Sequence, residues 1–151
     1  MRELGLALPP PARPVASYLQ TRVTSIGDGR SLIYVAGQLS REGDQVLSGR
    51  CQDQVSVEEA TRRAELCALG VMSQIDAAAG LDTLVEMSQV LGFVLSAEGF
   101  GDQPKILNGA SDLFVEVLGA AGKHTRVAIG AHALPFSATV EIAAVAVVRT
   151  G

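Results

Sequence analysis

The chain contains no tryptophan, and aromatic residues make up only 4% of it. Proteins that hold nucleic acid use basic patches and stacking rings, whereas this chain carries a formal net charge of −4. Both observations argue against nucleic acid as a partner. Cysteine is scarce too. Cys51 and Cys67 form no CxxC pair and are too few for a disulfide framework. The two histidines, His124 and His132, show no metal-ligand spacing, so neither a metal nor another cofactor is expected. No apolar run approaches the roughly 20 residues of a spanning helix, which predicts no membrane partner. The N-terminal MRELGLALPPPARP lacks the apolar stretch and cleavage site of a signal peptide, and cytoplasmic residence is the resulting expectation.

What is present is apolar material. Hydrophobic residues make up 48% of 151 residues and charged residues 19%, enough for one domain with a sizeable core. No repeat or linker divides the chain. Residues 1–14 read as an N-terminal extension, with RELGLAL as a short helix ended by the prolines at 9–11. Val15–Thr24 and Ser31–Gln38 read as strands joined by a GDGR turn, followed by a polar loop over 39–55. Ser56 and Glu59 then form a capping box. Behind it Ala60, Ala64, Cys67, Val71, Ile75 and Ala78 trace one helix face, which Gly80 ends. Leu84–Ala97 is expected as a strand, bent or bulged near Gly92. GDQPK starts a second helix with Pro104 in its first turn and an inward stripe of Ile106, Ala110, Leu113 and Val117. Strands over 125–133 and 139–149 follow, joined by LPFSA. The order β-β-α-β-α-β-β is that of an α+β domain.

The last strand has two apolar faces. Val140, Ile142, Ala144, Ala146 and Val148 alternate with Glu141, Ala143, Val145 and Val147. Two helices cover one face of a sheet, so the second is expected to meet another subunit in a closed ring. Arg126 and Glu141 lie inside this apolar region, where an unpaired charge is costly. If the last two strands form a hairpin, placing Val127 and Ile129 beside Val140 and Ile142 against the helices puts Arg126, Ala128, Gly130 and His132 on the other face with Glu141. The pair is then either an interface salt bridge or a pocket. In the pocket, Arg126 clamps a substrate carboxylate and Glu141 holds a water or takes a proton, with small neighbours such as Ala128 leaving room.

At these residues the chain resembles a known family. The tail RVAIGAHALPFSATVEI resembles the C-terminal signature of the YjgF-like or Rid proteins, imine and enamine deaminases also known as L-PSP endoribonucleases. Arg126 falls nine residues before Pro135 and Glu141 six after it, as in that signature. LIYVAGQLS resembles the family's Gly-Gln segment at Gly37 and Gln38. ASYLQ places Tyr18 at its aromatic position, and ILNGASDL places Asn108 at an Asn of the second helix. The long 39–55 loop and the N-terminal extension are most similar to a long-form branch. Ala128 stands where the deaminases often carry cysteine, and Ala143 where an acidic residue often follows the glutamate.

The resemblance implies a chorismate-mutase-like fold, two helices on one face of the sheet, and a homotrimer whose sheets form a central barrel. It also implies ligand clefts between subunits. There 2-imino or 2-enamino acids are hydrolysed to 2-keto acids and ammonia, with Arg126 on the carboxylate, Glu141 on the water, and Tyr18, Gly37, Gln38, Asn108 and Ala128 around the substrate. A non-enzymatic binder of small carboxylated metabolites, or an endoribonuclease, are the competing functions.

Overall fold

Asp28 and Gly29 adopt φ of 51° and 66°, the left-handed backbone of a tight two-residue turn. The computed structural model, which describes residues 4–151, uses this turn to pair β1 (Thr21–Gly27) antiparallel with β2 (Arg30–Leu39). The expected first strand begins later than its sequence pattern suggested, because residues 15–18 bend, with Tyr18 N–H donating to the Ala16 carbonyl at 2.9 Å. The short helix expected before the prolines does not form over 6–8; its residues 2–3 lie outside the described residues. Leu6 and Leu8 pack on the core instead, and Ser73 and Gln74 tie the segment down by donating to the carbonyls of Pro9 and Ala12 at 2.6 and 2.8 Å.

The polar segment 39–55 carries a small hairpin, β3 (Arg41–Glu42) with β4 (Gln45–Val46). Only the Ser56 half of the expected capping box forms, because the Glu59 carboxylate accepts from Arg62 and Arg63 instead. Ser56 Oγ accepts from the Glu59 amide at 3.1 Å and starts α1 (Val57–Ala79), which stops at Gly80 with φ 84°. Ala60, Ala64, Cys67, Val71 and Ile75 are buried, while Ala78, in the last turn, is exposed. After β5 (Leu84–Leu95), Pro104 lies in the first turn of α2 (Gln103–Leu118). Gly109 is the contact between helices, since a Cβ there would overlap the Thr61 carbonyl of α1. That approach explains a glycine that helix propensity disfavours.

The main sheet has the order β1-β2-β7-β5-β6, with β6 (Thr125–Ala131) parallel to β5 and β7 (Val140–Arg149) antiparallel to β2 and β5. Both helices pack on one face, and their stripes join Ile33, Val35, Val90, Val94 and Ile142 in a single core. This is the predicted α+β arrangement. Its register shifts at β5 fall between Leu84 and Glu86 and between Met87 and Gln89, not at Gly92. Gly92 serves packing instead: a Cβ would overlap the Leu107 side chain of α2.

One topological expectation is overturned. β6 and β7 form no hairpin; β5 lies between them, reached through a β5-α2-β6 crossover. The rows across the sheet then read Arg126–Val90–Ala144 and Ala128–Gly92–Ile142 on the helix-covered face. Val127–Leu91–Ala143 and Ile129–Phe93–Glu141 lie on the open face. Val127 and Ile129 are therefore not core residues, and Arg126 and Ala128 do not share Glu141's face. Apolar alternation alone could not separate the two faces, because both are apolar. On the uncovered one Tyr34, Val127 and Ile129 are 46%, 42% and 46% exposed.

Candidate active site

Glu141 is in register with Ile129 through Phe93. Arg126 is three residues from Ile129, so its backbone lies about 14 Å from that of Glu141 by ordinary strand spacings. The two side chains also leave opposite faces. Within one chain they form two separate half-sites, and no direct Arg126–Glu141 contact exists.

Arg126 lies half-buried on edge strand β6 beneath α2. One Nη1 proton donor reaches Asn108 Oδ1 and Ser111 Oγ, each at 3.0 Å, and Nη2 donates to the Pro104 carbonyl at 3.2 Å. Among the described residues it pairs with no carboxylate. Its partners are neutral, so its positive charge is held in place without being cancelled. His124 extends the chain. Its Nδ1 faces the Gly122 carbonyl at 2.6 Å and must carry the proton there. Nε2 then accepts from the Ser111 hydroxyl at 2.9 Å, and Ser111 accepts from Arg126. Phe114 braces the imidazole edge-to-face, with ring centroids 5.6 Å apart. The resulting hollow of about 290 Å³ is lined by Ser111, Asp112, Val115, Lys123, His124 and Arg126.

The second half-site surrounds Glu141. In β2 the register with β7 shifts between Val35 and Gln38, a bulge that contains Gly37. A Cβ on Gly37 would overlap the Glu141 carboxylate, so only glycine gives the acid its place. Desolvation pushes the Glu141 carboxyl above its usual range. Gly37, together with Tyr18, Gln20, Gln38, Leu39 and Phe136, also helps line a hollow of about 470 Å³ whose wall does not include Glu141 itself.

Gln38 is 4% exposed. Its amide donates to Ala36 O and Gln20 Oε1 at 2.9 and 2.8 Å and accepts from Gln74 at 3.4 Å. It braces the bulge from within. Tyr18, 42% exposed, keeps its hydroxyl free but for a 3.4 Å contact from Gln20.

The structure thus brings Asn108 to Arg126 and Gly37 to Glu141, while Tyr18 and Gln38 share a hollow with Gly37. Ala128 joins neither hollow and packs toward the core. Ser111, His124 as a relay, and Phe136 were not singled out as site residues from sequence. The signal for Phe136 was an exposed aromatic in LPFSA. Its backbone and that of Ser137 hold φ of 54° and 55°, strained for non-glycine residues, and the ring is 66% exposed. Among the described residues no His, Cys, Asp and Glu side chains cluster as a metal site. Cys67 is fully buried, donates to the Val140 carbonyl at 3.4 Å, and its thiol is pushed well up by burial, which makes it inert.

The same architecture occurs in other proteins. Protein TCP17 of Trypanosoma cruzi is 37% identical over 145 residues, covering 94% of this chain and 88% of that protein. The crystal structure of Atu1372 from Agrobacterium tumefaciens, a protein of unknown function, is also 37% identical. It superposes with a TM-score of 0.83, covering 97% of this chain and 88% of that one. A candidate endoribonuclease from Shewanella oneidensis MR-1, 25% identical, superposes with a TM-score of 0.86 over 96% and 94% of the two chains. Residues 11–148 match the family model described as Endoribonuclease L-PSP. With the Arg126-to-Glu141 signature, the five-stranded sheet and the two helices in place, the chain belongs to the YjgF-like endoribonuclease L-PSP family.

Proposed function

We propose that the protein hydrolyses reactive 2-imino and 2-enamino acids to 2-keto acids and ammonia in a cleft between subunits of a homotrimer. The observation that carries this reading is the division of the site. A guanidinium held by neutral acceptors stands at one edge of the sheet, and a desolvated carboxyl behind a glycine stands toward the other. Neither half is complete alone, so one subunit contributes Arg126 and Asn108 and the next contributes Tyr18, Gly37 and Glu141. The open sheet face supplies a reason to assemble: Tyr34, Leu91, Phe93, Val127, Ile129 and Val145 share it, and a contiguous apolar surface of this kind calls for cover.

In the assembled cleft Arg126 takes the substrate carboxylate with paired charge-assisted hydrogen bonds. Water adds to C2 of the imine while Glu141 accepts its proton. That proton passes to nitrogen to give the carbinolamine; Glu141 then takes the hydroxyl proton and delivers it to the same nitrogen, the C–N bond breaks, and ammonia leaves as the carbonyl forms. A raised carboxyl pKa suits this two-way transfer near neutral pH. Imines react readily with water, so positioning supplies much of what is needed. The acidic charge and scarce aromatics favour this chemistry over cleavage of RNA.

The test is 2-keto acid release from 2-aminoacrylate generated in situ, above the spontaneous rate, by the wild type and by Arg126→Ala, with light scattering on both. Acceleration that is lost in an intact mutant trimer supports the assignment. No acceleration by the wild type refutes it for this substrate, and carboxylate binding without turnover would make the protein a metabolite binder.

A further inference from the structure

Two buried glutamines stand behind the bulge of β2. Gln38 and Gln74 are each 4% exposed, and a buried amide is kept only where its polar atoms meet partners. Gln74, on α1, donates through Nε2 to the Ala12 carbonyl at 2.8 Å and to Gln38 Oε1 at 3.4 Å. Gln38 Nε2 donates in turn to the Ala36 carbonyl at 2.9 Å and to Gln20 Oε1 at 2.8 Å. Ala12 and Ala36 offer backbone carbonyls, which only accept. They turn both amide nitrogens the same way along the relay, so each amide has one arrangement.

The relay ends at the residues that seat Glu141. On the covered face of the sheet a Cβ on Gly70 of α1 would stand 3.3 Å from Gln38 Cβ, and on the open face a Cβ on Gly37 would overlap the Glu141 carboxylate. Gln38 is thus gripped from α1 while its neighbour Gly37 faces the acid. Ser73, beside Gln74 on α1, ties down the same N-terminal segment by donating to the Pro9 carbonyl at 2.6 Å. Among the described residues Ser73 forms no side-chain hydrogen bond to the bulge. Two adjacent residues therefore share one docking task, and one of them also reaches the site.

We infer that Gln74 is a positioning residue for Glu141: through Gln38 it couples the docked N-terminal segment to the bulge against which the Glu141 carboxylate is seated. Gln74 touches no substrate. Its consequence for turnover rests on the deaminase assignment above, whereas its hold on the seat of Glu141 does not.

Two measurements on the intact protein test this, one without turnover and one with it. Gln74→Met keeps the length of the side chain and removes both donors. Ser73→Ala removes the other tie of the same segment and leaves Gln38 its partners. The first readout is the titration of the Glu141 carboxyl by carbon NMR, assigned by its loss in Glu141→Gln. Burial holds this group above the ordinary range, and a loosened bulge admits water. Gln74→Met should therefore move the titration down toward the ordinary carboxylate range, with Ser73→Ala unchanged. An unmoved titration in Gln74→Met, or an equal displacement in Ser73→Ala, overturns the inference.

The second readout is hydrolysis of 2-aminoacrylate. Gln74→Met should lower kcat roughly tenfold, the scale of a slightly misplaced reacting group, at nearly unchanged KM because the Arg126 clamp is untouched. Ser73→Ala should change neither. A wild type that turns nothing over, with the Glu141 titration still displaced in Gln74→Met, refutes the deaminase assignment and keeps the positioning role. If Gln74→Met fails to fold, Gln20→Leu cuts the relay from its half-buried end. A Glu141 titration moved down in that variant supports the relay, and an unmoved one overturns it.

Discussion

Arg63 and Arg126 are both half-covered guanidiniums tied to a helix, and they are satisfied in opposite ways. Arg63 leaves α1 and donates to Glu59 at 2.8 Å, to the Ser48 carbonyl at 2.9 Å and to Thr139 Oγ1 at 2.7 Å. Its charge is cancelled by a carboxylate, which Arg62 also grips. The bonds to Ser48 and Thr139 lock α1 to the start of β7, one residue before Val140 and two before Glu141. Arg126 has as many partners, all of them neutral. Cancelled charge serves architecture; oriented, uncancelled charge is what the proposed anion site needs.

Removing each arginine sharpens this contrast. Arg126→Ala should lower kcat/KM for carboxylated imines by on the order of 100- to 1,000-fold, the scale of a lost charged hydrogen-bond partner. Its neutral partners reach water, so its melting temperature should hardly change. Arg63→Ala should do the reverse. It takes from Glu59 one of its two arginine partners and cuts the ties from α1 to the Ser48 carbonyl and Thr139, and should cost about 1–2 kcal/mol of stability, read by urea denaturation, with activity falling only as the fold does. If Arg126→Ala unfolds the protein while Arg63→Ala leaves it stable, the distinction is wrong.

The two arginines were not equally legible in the sequence. Arg63 and Glu59 stand at helical spacing behind a capping box, so local rules find both the helix and the pair. Arg126 was singled out because it interrupts an apolar strand, and the spacing to Pro135 and Glu141 tied it to a family. Its surroundings were misplaced, however. Strands adjacent in sequence usually pair, and here the chain spends Pro135–Ser137 on a strained turn that passes β5 before entering β7. Period-two alternation says which residues share a face but not which face a helix covers, and Val127 and Ile129 look like core until β5 is inserted. Gly37 was legible only through the family's Gly-Gln segment, and the group against it was not. That the approaching group is the Glu141 carboxylate depends on a bulge of β2 that no local pattern announces.

Acid titration separates the two carboxylates by sign. Arg62 and Arg63 hold Glu59 down to about 2, against an ordinary value of 4.5. Its stabilising contribution is complete above pH 4.5 and is lost as pH falls toward 2. Glu59→Gln should therefore melt lower at pH 7 and show a flatter decline between pH 4.5 and 2. Glu141 is displaced upward by desolvation. Its folded form gains stability below the ordinary carboxylate range and loses it as pH rises through the raised value. Glu141→Gln should melt higher than the wild type at pH 7, with the gain vanishing below pH 4.5, while turnover falls. Melting curves across pH decide both, and a Glu141→Gln variant less stable at pH 7 would mean that the acid is a structural residue after all.

The smallest expected effect lies in the relay behind Arg126. Ser111 touches no substrate in the proposed cleft. It accepts from Arg126 and donates to His124 Nε2, whose other nitrogen is fixed by the Gly122 carbonyl. That directionality leaves Ser111 one orientation, and with Asn108 and the Pro104 carbonyl it fixes Nη1 and one side of Nη2, leaving the Nε proton and the second Nη2 proton of Arg126 without a protein acceptor among the described residues. Ser111→Ala removes one acceptor at a half-exposed position where water can substitute, a loss of about 1 kcal/mol, equivalent to roughly a fivefold rise in KM. The cost should appear in KM with kcat little changed, because a clamp on the carboxylate contributes the same binding before and during reaction. Ser111→Thr, which keeps the hydroxyl, should restore KM. If Ser111→Ala instead lowers the melting temperature and leaves KM alone, the hydroxyl merely packs α2 against β6, and Arg126 is held by Asn108 and the Pro104 carbonyl without it.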